Sequence, residues 1–131
     1  MFIRSEADCQ PFVANDGCNI IELLHPKQAE AVGNLKFSLA IAEVEVGKQT
    51  YHHFLEQDEV YYLLAGEGLV YVDAEIARVV QGDAVFIAAG SVQWIRNTGP
   101  SVLRFAAIVS PPWTEQGDHL VAPDEIASEA K

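Results

Sequence analysis

The feature that most restricts how this chain can fold is the regular arrival of turn residues through its second half. Gly66-Glu67-Gly68, Asp73-Ala74, Gly82-Asp83, Gly90 and Asn97-Thr98-Gly99-Pro100 divide it into short runs. Those runs are Thr50–Phe54, Val60–Leu64, Leu69–Val72, Ile76–Val80, Ala84–Ile87, Val92–Arg96 and Val102–Val109. They are rich in β-branched and aromatic residues, and none carries a helical period. Short strands separated by evenly spaced turn chemistry predict an all-β sandwich or barrel. The Asp73-Ala74 connection lacks the glycine that a two-residue hairpin favours, so a slightly strained turn is expected there.

Upstream, Phe37–Val46 (FSLAIAEVEV) reads as a strand apolar on both faces, as happens within a sandwich or at a subunit interface. Asn19–Leu24 is a strand or a helical turn, ended by His25-Pro26 because the residue before proline avoids helix. Residues 1–18 are polar and irregular, with a turn signal at Asn15-Asp16-Gly17, and Ala122–Lys131 reads as a frayed or partly helical tail. The 131 residues suit a single domain, with a barrel core over about 37–110, an N-terminal arm over 1–36 and a tail over 111–131.

Composition narrows the partners. The formal charge is −11, with 19 acidic against 8 basic side chains and no Lys/Arg cluster. Such a surface repels phosphate backbones and anionic lipid, so neither nucleic acid nor a membrane is an expected partner. The N-terminus MFIRSEADCQ has no basic region followed by an apolar run, so no signal peptide is expected. Cys9 and Cys18 form no CxxC pair and read as reduced thiols, which suits the cytoplasm.

Two segments carry the chemistry. One is Gly47-KQTY-His52-His53-Phe54-LEQD-Glu59-VYYLLA-Gly66, and the other is Gly82-DAVFI-Ala88-Ala89-Gly90-SV-Gln93-WIR-Asn97. Together they resemble the paired signature of the cupin superfamily, G-x5-H-x-H-x3-4-E-x6-G followed by G-x5-P-x-G-x2-H-x3-N. The resemblance spans roughly residues 38–110. It implies a small single-domain cupin, with the double-stranded β-helix (a jelly-roll-like barrel) as its fold. In that family the two histidines, the glutamate and the second motif's histidine bind one divalent metal in the barrel mouth. Imidazole and carboxylate ligands suit Fe, Mn, Ni, Cu or Zn and leave positions open for substrate.

The chain departs from that pattern. With His52 at the first histidine position, Phe54 stands at the second, Gln93 replaces the third and Ala88 replaces the proline. The expected metal set is therefore His52, Glu59 and Gln93, and a metal-free site is the open alternative. Side chains alternate along a strand, so an inward His52 turns Phe54 inward and His53 outward. A bulge would reverse this and make His53 the ligand. Tyr61 shares the parity of Glu59, and Trp94 opposes Gln93. Phe54 and Ile95 are expected along the pocket wall with Gln93 at its base, and His25 and His119 read as structural.

The expected function is binding of a small polar organic molecule in the barrel mouth, and the expected assembly is a homodimer. Three classes compete. A metal-dependent dioxygenase, isomerase or lyase would use Glu59 or Tyr61 to move a proton. A metal-free enzyme would use His52 as base and Tyr61 as acid. A non-catalytic binding or sensing module would have kept the barrel and lost the ligands. Fold alone does not choose among them.

Overall fold

The computed structural model describes residues 1–122, so the expected tail over 111–131 is described only as far as Ala122. Eleven strands make up the described chain: β1 (Phe12–Val13), β2 (Asn19–Leu24), β3 (Ser38–Val44), β4 (His53–Leu55), β5 (Asp58–Ala65), β6 (Glu67–Val72), β7 (Glu75–Val80), β8 (Ala84–Ile87), β9 (Gln93–Asn97), β10 (Leu103–Ser110) and β11 (Asp118–Leu120). They form two sheets, ordered β1-β2-β3-β10-β5-β8 and β11-β4-β9-β6-β7. All pairings are antiparallel. Among the described residues no helix is long and apolar enough to cross a membrane.

Alternation builds the core. Along β5, Glu59, Tyr61 and Leu63 are buried while Tyr62 and Leu64 are exposed. The inward set of β5 meets Val70, Ile95, Leu103 and Phe105 from the neighbouring strands in one hydrophobic cluster. Asn19–Leu24 resolves as a strand, pairing with β3 in the six-stranded sheet. β3 lies inside that sheet between β2 and β10.

Two turns show the local chemistry. Asp73 and Ala74 both take positive φ, 45° and 76°, so the β6–β7 hairpin does place two non-glycine residues in the left-handed region. The Asp73 carboxylate, accepting from the Val92 N–H at 2.8 Å, ties that turn to the approach of β9. Gly68 meets a different constraint, since a Cβ there would stand 2.4 Å from the Arg96 carbonyl oxygen. β6 and β9 can pair at this point only around a glycine.

A bulge leads into β4. Gln49 bridges Arg96 and His53 pairs with Gln93, so one chain advances four residues while its partner advances three. The additional residue inverts the side-chain alternation between Gln49 and His53. As a result only His53 and Phe54 of the expected Thr50–Phe54 strand join the sheet, within β4.

Candidate functional site

The bulge decides which histidine enters the barrel. His53 is buried at 2% exposure and lines a cavity at the mouth. Its Nδ1 lies 2.8 Å from the Tyr51 carbonyl oxygen. A carbonyl only accepts, so Nδ1 carries the hydrogen and donates it. In the neutral ring Nε2 then keeps a lone pair, and this atom stands 3.4 Å from Asp16 Oδ2. Asp16 belongs to the arm's Asn-Asp-Gly turn, where its Oδ1 accepts from the Cys18 N–H at 2.9 Å. The arm is fastened to the β4 approach by the Tyr51 N–H, which donates to the Asp16 carbonyl at 2.8 Å.

Glu59 enters the same cavity from β5. Gln93 Nε2 donates to its Oε1 at 3.0 Å, and the Tyr61 hydroxyl donates to Gln93 Oε1 at 2.6 Å. Each member of this chain is buried. Burial pushes the Glu59 carboxyl up to about 8 against the pull of the Gln93 hydrogen bond, and the nearby charges of Asp16 and Asp118 push the same way. Burial, reinforced by the charge of Glu59, also raises the Tyr61 hydroxyl well above its ordinary value. Near neutral pH the pair therefore holds its protons, and Glu59 is the one that faces the cavity.

β11 closes the opposite rim. Asp118 Oδ2 accepts from the Trp113 indole N–H at 3.1 Å, while its Oδ1 is buried with no hydrogen-bond partner among the described residues. Burial raises the Asp118 carboxyl, and the charge of His53 opposes that shift. His25 sets Trp113 in place, with Nε2 donating to the Trp113 carbonyl at 2.8 Å and Nδ1 accepting from the Lys27 N–H. Phe12, Ile20, Leu55, Ala107, Val109 and Trp113 supply apolar wall around a cavity of about 60 Å³. That volume suits a ligand of on the order of five heavy atoms.

Several expected positions are corrected. His52 lies outside the cavity, with its ring centroid 5.8 Å from that of Tyr71 and 6.1 Å from that of Trp94. Phe54 also lies on the outer side of β4, stacked on His119 at 4.8 Å. Both displacements follow from the bulge. Ile95 faces inward as expected but is sealed in the core at 0% exposure, so it forms no pocket wall. Tyr61 and Gln93 sit behind Glu59 and do not line the cavity, so they position the carboxyl. Trp94 opposes Gln93 as expected and stacks on Tyr71 across the strand pair.

A signal for His53 was present in the sequence. The G-x5-H spacing, counted from Gly47, ends on His53 and places Leu55 at the second histidine position. Asp16 and Asp118 had no comparable signal, because they reach the mouth from the two ends of the described chain.

The donors do not fit the metal that the motif implies. The four ligand positions hold His53, Leu55, Glu59 and Gln93, and Leu55 has no donor atom. The Gln93 oxygen already accepts from Tyr61, and its amide nitrogen faces Glu59. The expected His52, Glu59 and Gln93 set is not brought together. Among the described residues no group of three His, Cys, Asp or Glu is placed to hold a metal ion. Nor is Cys18 a nucleophile, since burial drives its thiol far up.

Comparison with known proteins places this geometry. The chain is 35% identical over 121 residues to an uncharacterised protein, MJ1618, of Methanocaldococcus jannaschii, covering 91% of this chain and 94% of that one. It is 29% identical over 112 residues to an oxalate-binding protein of Thermotoga maritima, covering 83% and 93%. Its fold superposes on the polyketide cyclase RemF of Streptomyces resistomycificus with a TM-score of 0.74 at 20% identity, covering 93% of this chain and 86% of that one. Residues 40–109, from β3 to the end of β10, match the cupin domain. The chain belongs to the cupin domain family, with one buried histidine and one buried glutamate at the mouth of its barrel.

Proposed function

We propose that the barrel mouth binds a small polar organic molecule and moves a proton on it, in the manner of an isomerase or lyase. His53 takes the proton at Nε2 and Glu59 delivers one from its carboxyl. One observation carries this reading: a single cavity joins the His53 imidazole, its Nδ1 fixed on the Tyr51 carbonyl, to a carboxyl that burial raises to about 8. An acid whose pKa lies near the operating pH is best matched to proton transfer. Asp16 would stabilise the imidazolium as it forms, and Gln93 and Tyr61 would hold Glu59 in place. The oxalate-binding relative supports a ligand of similarly small size.

Deuterium exchange tests this reading. A panel of small hydroxy and oxo compounds would be incubated in heavy water and followed by NMR. The wild type is expected to wash deuterium into at least one of them. His53→Gln and Glu59→Gln are each expected to lose about a hundredfold or more of that rate, while His52→Ala retains it. Exchange that survives in His53→Gln would sink the assignment, and tight binding without exchange would leave a non-catalytic binding module.

The homodimer, we propose, forms through the outer face of the six-stranded sheet. Tyr62, Leu64 and Phe86 are exposed there, and Arg104 on the same sheet is neutralised by Glu43. Copies bearing −11 each repel elsewhere, so an apolar face of this kind is where two can meet. Phe86→Glu is expected to shift the sedimenting species to monomer, and an unchanged species would move the interface elsewhere.

A further inference from the structure

We propose that Trp113 determines which ligands the mouth takes: its indole is a fixed wall that admits short molecules and excludes their longer homologues. This role rests on the small-molecule reading above and names the size class of its substrate.

Trp113 lies in the irregular segment between β10 and β11, outside the strand ladders. Connections of this kind ordinarily leave their backbone to water. This one is held by four side chains instead. The Trp113 N–H donates to Ser38 Oγ at 2.9 Å, its carbonyl accepts from His25 Nε2 at 2.8 Å, and its indole N–H donates to Asp118 Oδ2 at 3.1 Å. Gln57 Nε2 donates to the Pro112 carbonyl at 3.4 Å and to the Thr114 hydroxyl at 3.3 Å, one on each side of Trp113. Ser38, His25 and Gln57 are buried and Asp118 is half-buried. None of the four moves a proton in the proposed reaction. Burying polar side chains is costly, and here they converge on one short segment and hold it closely. The Ser38 and His25 bonds grip only backbone and would serve any residue at 113. The Asp118 bond grips the indole, and so fixes the ring about its side-chain torsions.

The fixed ring matters because Trp113 lines the same cavity of about 60 Å³ as His53 and Glu59. Phe12, in the same lining, is 41% exposed on the two-residue β1 and makes a softer wall. Each methylene that a ligand buries in an unobstructed apolar pocket improves its binding about fourfold. Against a wall that is held in place, an added methylene must displace packed side chains, and the trend reverses. The sign of the change in affinity with ligand length therefore reports on the wall.

The probes are hydroxyacetone and its homologues lengthened by one, two and three methylenes. These neutral hydroxy ketones suit a lining that, among the described residues, has no lysine or arginine. Their dissociation constants would be measured on the full chain by saturation-transfer NMR. In the wild type, binding is expected to weaken by about tenfold or more over the series. In Trp113→Ala, with its fold checked by thermal melting, the slope should change sign. The longest homologue should then bind at least about tenfold more tightly than it does to the wild type, while hydroxyacetone gains nothing. If that variant does not fold, Trp113→Leu should show the same change in smaller measure. Asp118→Ala, which releases the indole, should flatten the wild-type slope, and Asp118→Asn, which keeps an acceptor for it, should preserve it. Affinity that rises with length in the wild type, a slope that truncating Trp113 leaves unchanged, or no binding of any probe would each overturn the proposal. Deuterium exchange into hydroxyacetone, read in the same samples, separates the two readings. The expected slopes without exchange would sink proton transfer alone, and exchange with a slope indifferent to Trp113 would sink the wall alone.

Discussion

β5 passes through two different interiors. At its C-terminal end Leu63 packs with Leu103, Phe105 and Ile95 in hydrocarbon from which solvent is almost wholly excluded. At its N-terminal end Glu59 sits among Gln93 and Asp16, which are buried, and Asp118, which is half-buried. Tyr61 lies between and serves both, its ring 4.4 Å from that of Phe105 and its hydroxyl on Gln93. The hydrocarbon end is stabilised by area removed from water. The polar end gains little from burial and requires a partner for every group, which it has except at Asp118 Oδ1.

This contrast can be broken or sharpened experimentally. The largest effect is expected at the hydrocarbon end, where Phe105→Ala should cost about 3–5 kcal/mol in denaturant unfolding, through lost burial and the cavity left behind. A loss below 1 kcal/mol would mean that the core is not where the burial places it.

The next effect belongs to the polar end and depends on pH. The Glu59 carboxyl is raised in the folded chain, from 4.5 to about 8, so folding favours its protonated form. Its contribution is full below about 4.5 and is lost progressively as pH rises through about 8. Glu59→Gln, which stays neutral, should therefore gain on the wild type from pH 5 to pH 9, by on the order of a few kcal/mol. A difference between the two proteins that does not change with pH would show that Glu59 is not held protonated.

A smaller loss is expected from Tyr61→Phe. It leaves the ring in the core but removes the donor to Gln93, at a cost of about 1–3 kcal/mol. It should also raise the midpoint at which Glu59 titrates, because the Tyr61 hydroxyl pulls that carboxyl down, a shift readable by carboxyl infrared bands. The smallest effect is expected at His52, outside the cavity against Tyr71 and Trp94. His52→Ala should cost about 1 kcal/mol and leave ligand binding intact, and a loss of binding would return His52 to the site.

Much of this was legible in the chain. The glycine and asparagine turns marked nearly every strand from β5 to β10, because turn chemistry is local. Glu59 and Tyr61 were correctly set on one face, because no irregularity interrupts β5 between them and alternation has a period of two. Where pairing is irregular the same rule failed. Counted as a simple strand, Thr50–Phe54 puts His52 inside, yet the bulge against β9 exchanges it for His53. The G-x5-H spacing counted from Gly47 ends on His53, whereas strand parity by itself allows either histidine.

The sequence by itself determined an all-β cupin barrel, its turns, and a glutamate and a tyrosine facing inward, since these follow from spacing and side-chain type along one stretch of chain. Only the tertiary structure decided which histidine joins them. It also decided that Tyr61 and Gln93 stand behind Glu59 and that Asp16 and Asp118 complete the mouth. These facts depend on how strands distant in sequence register against one another, and a one-residue difference in that register turns a side chain from solvent to core.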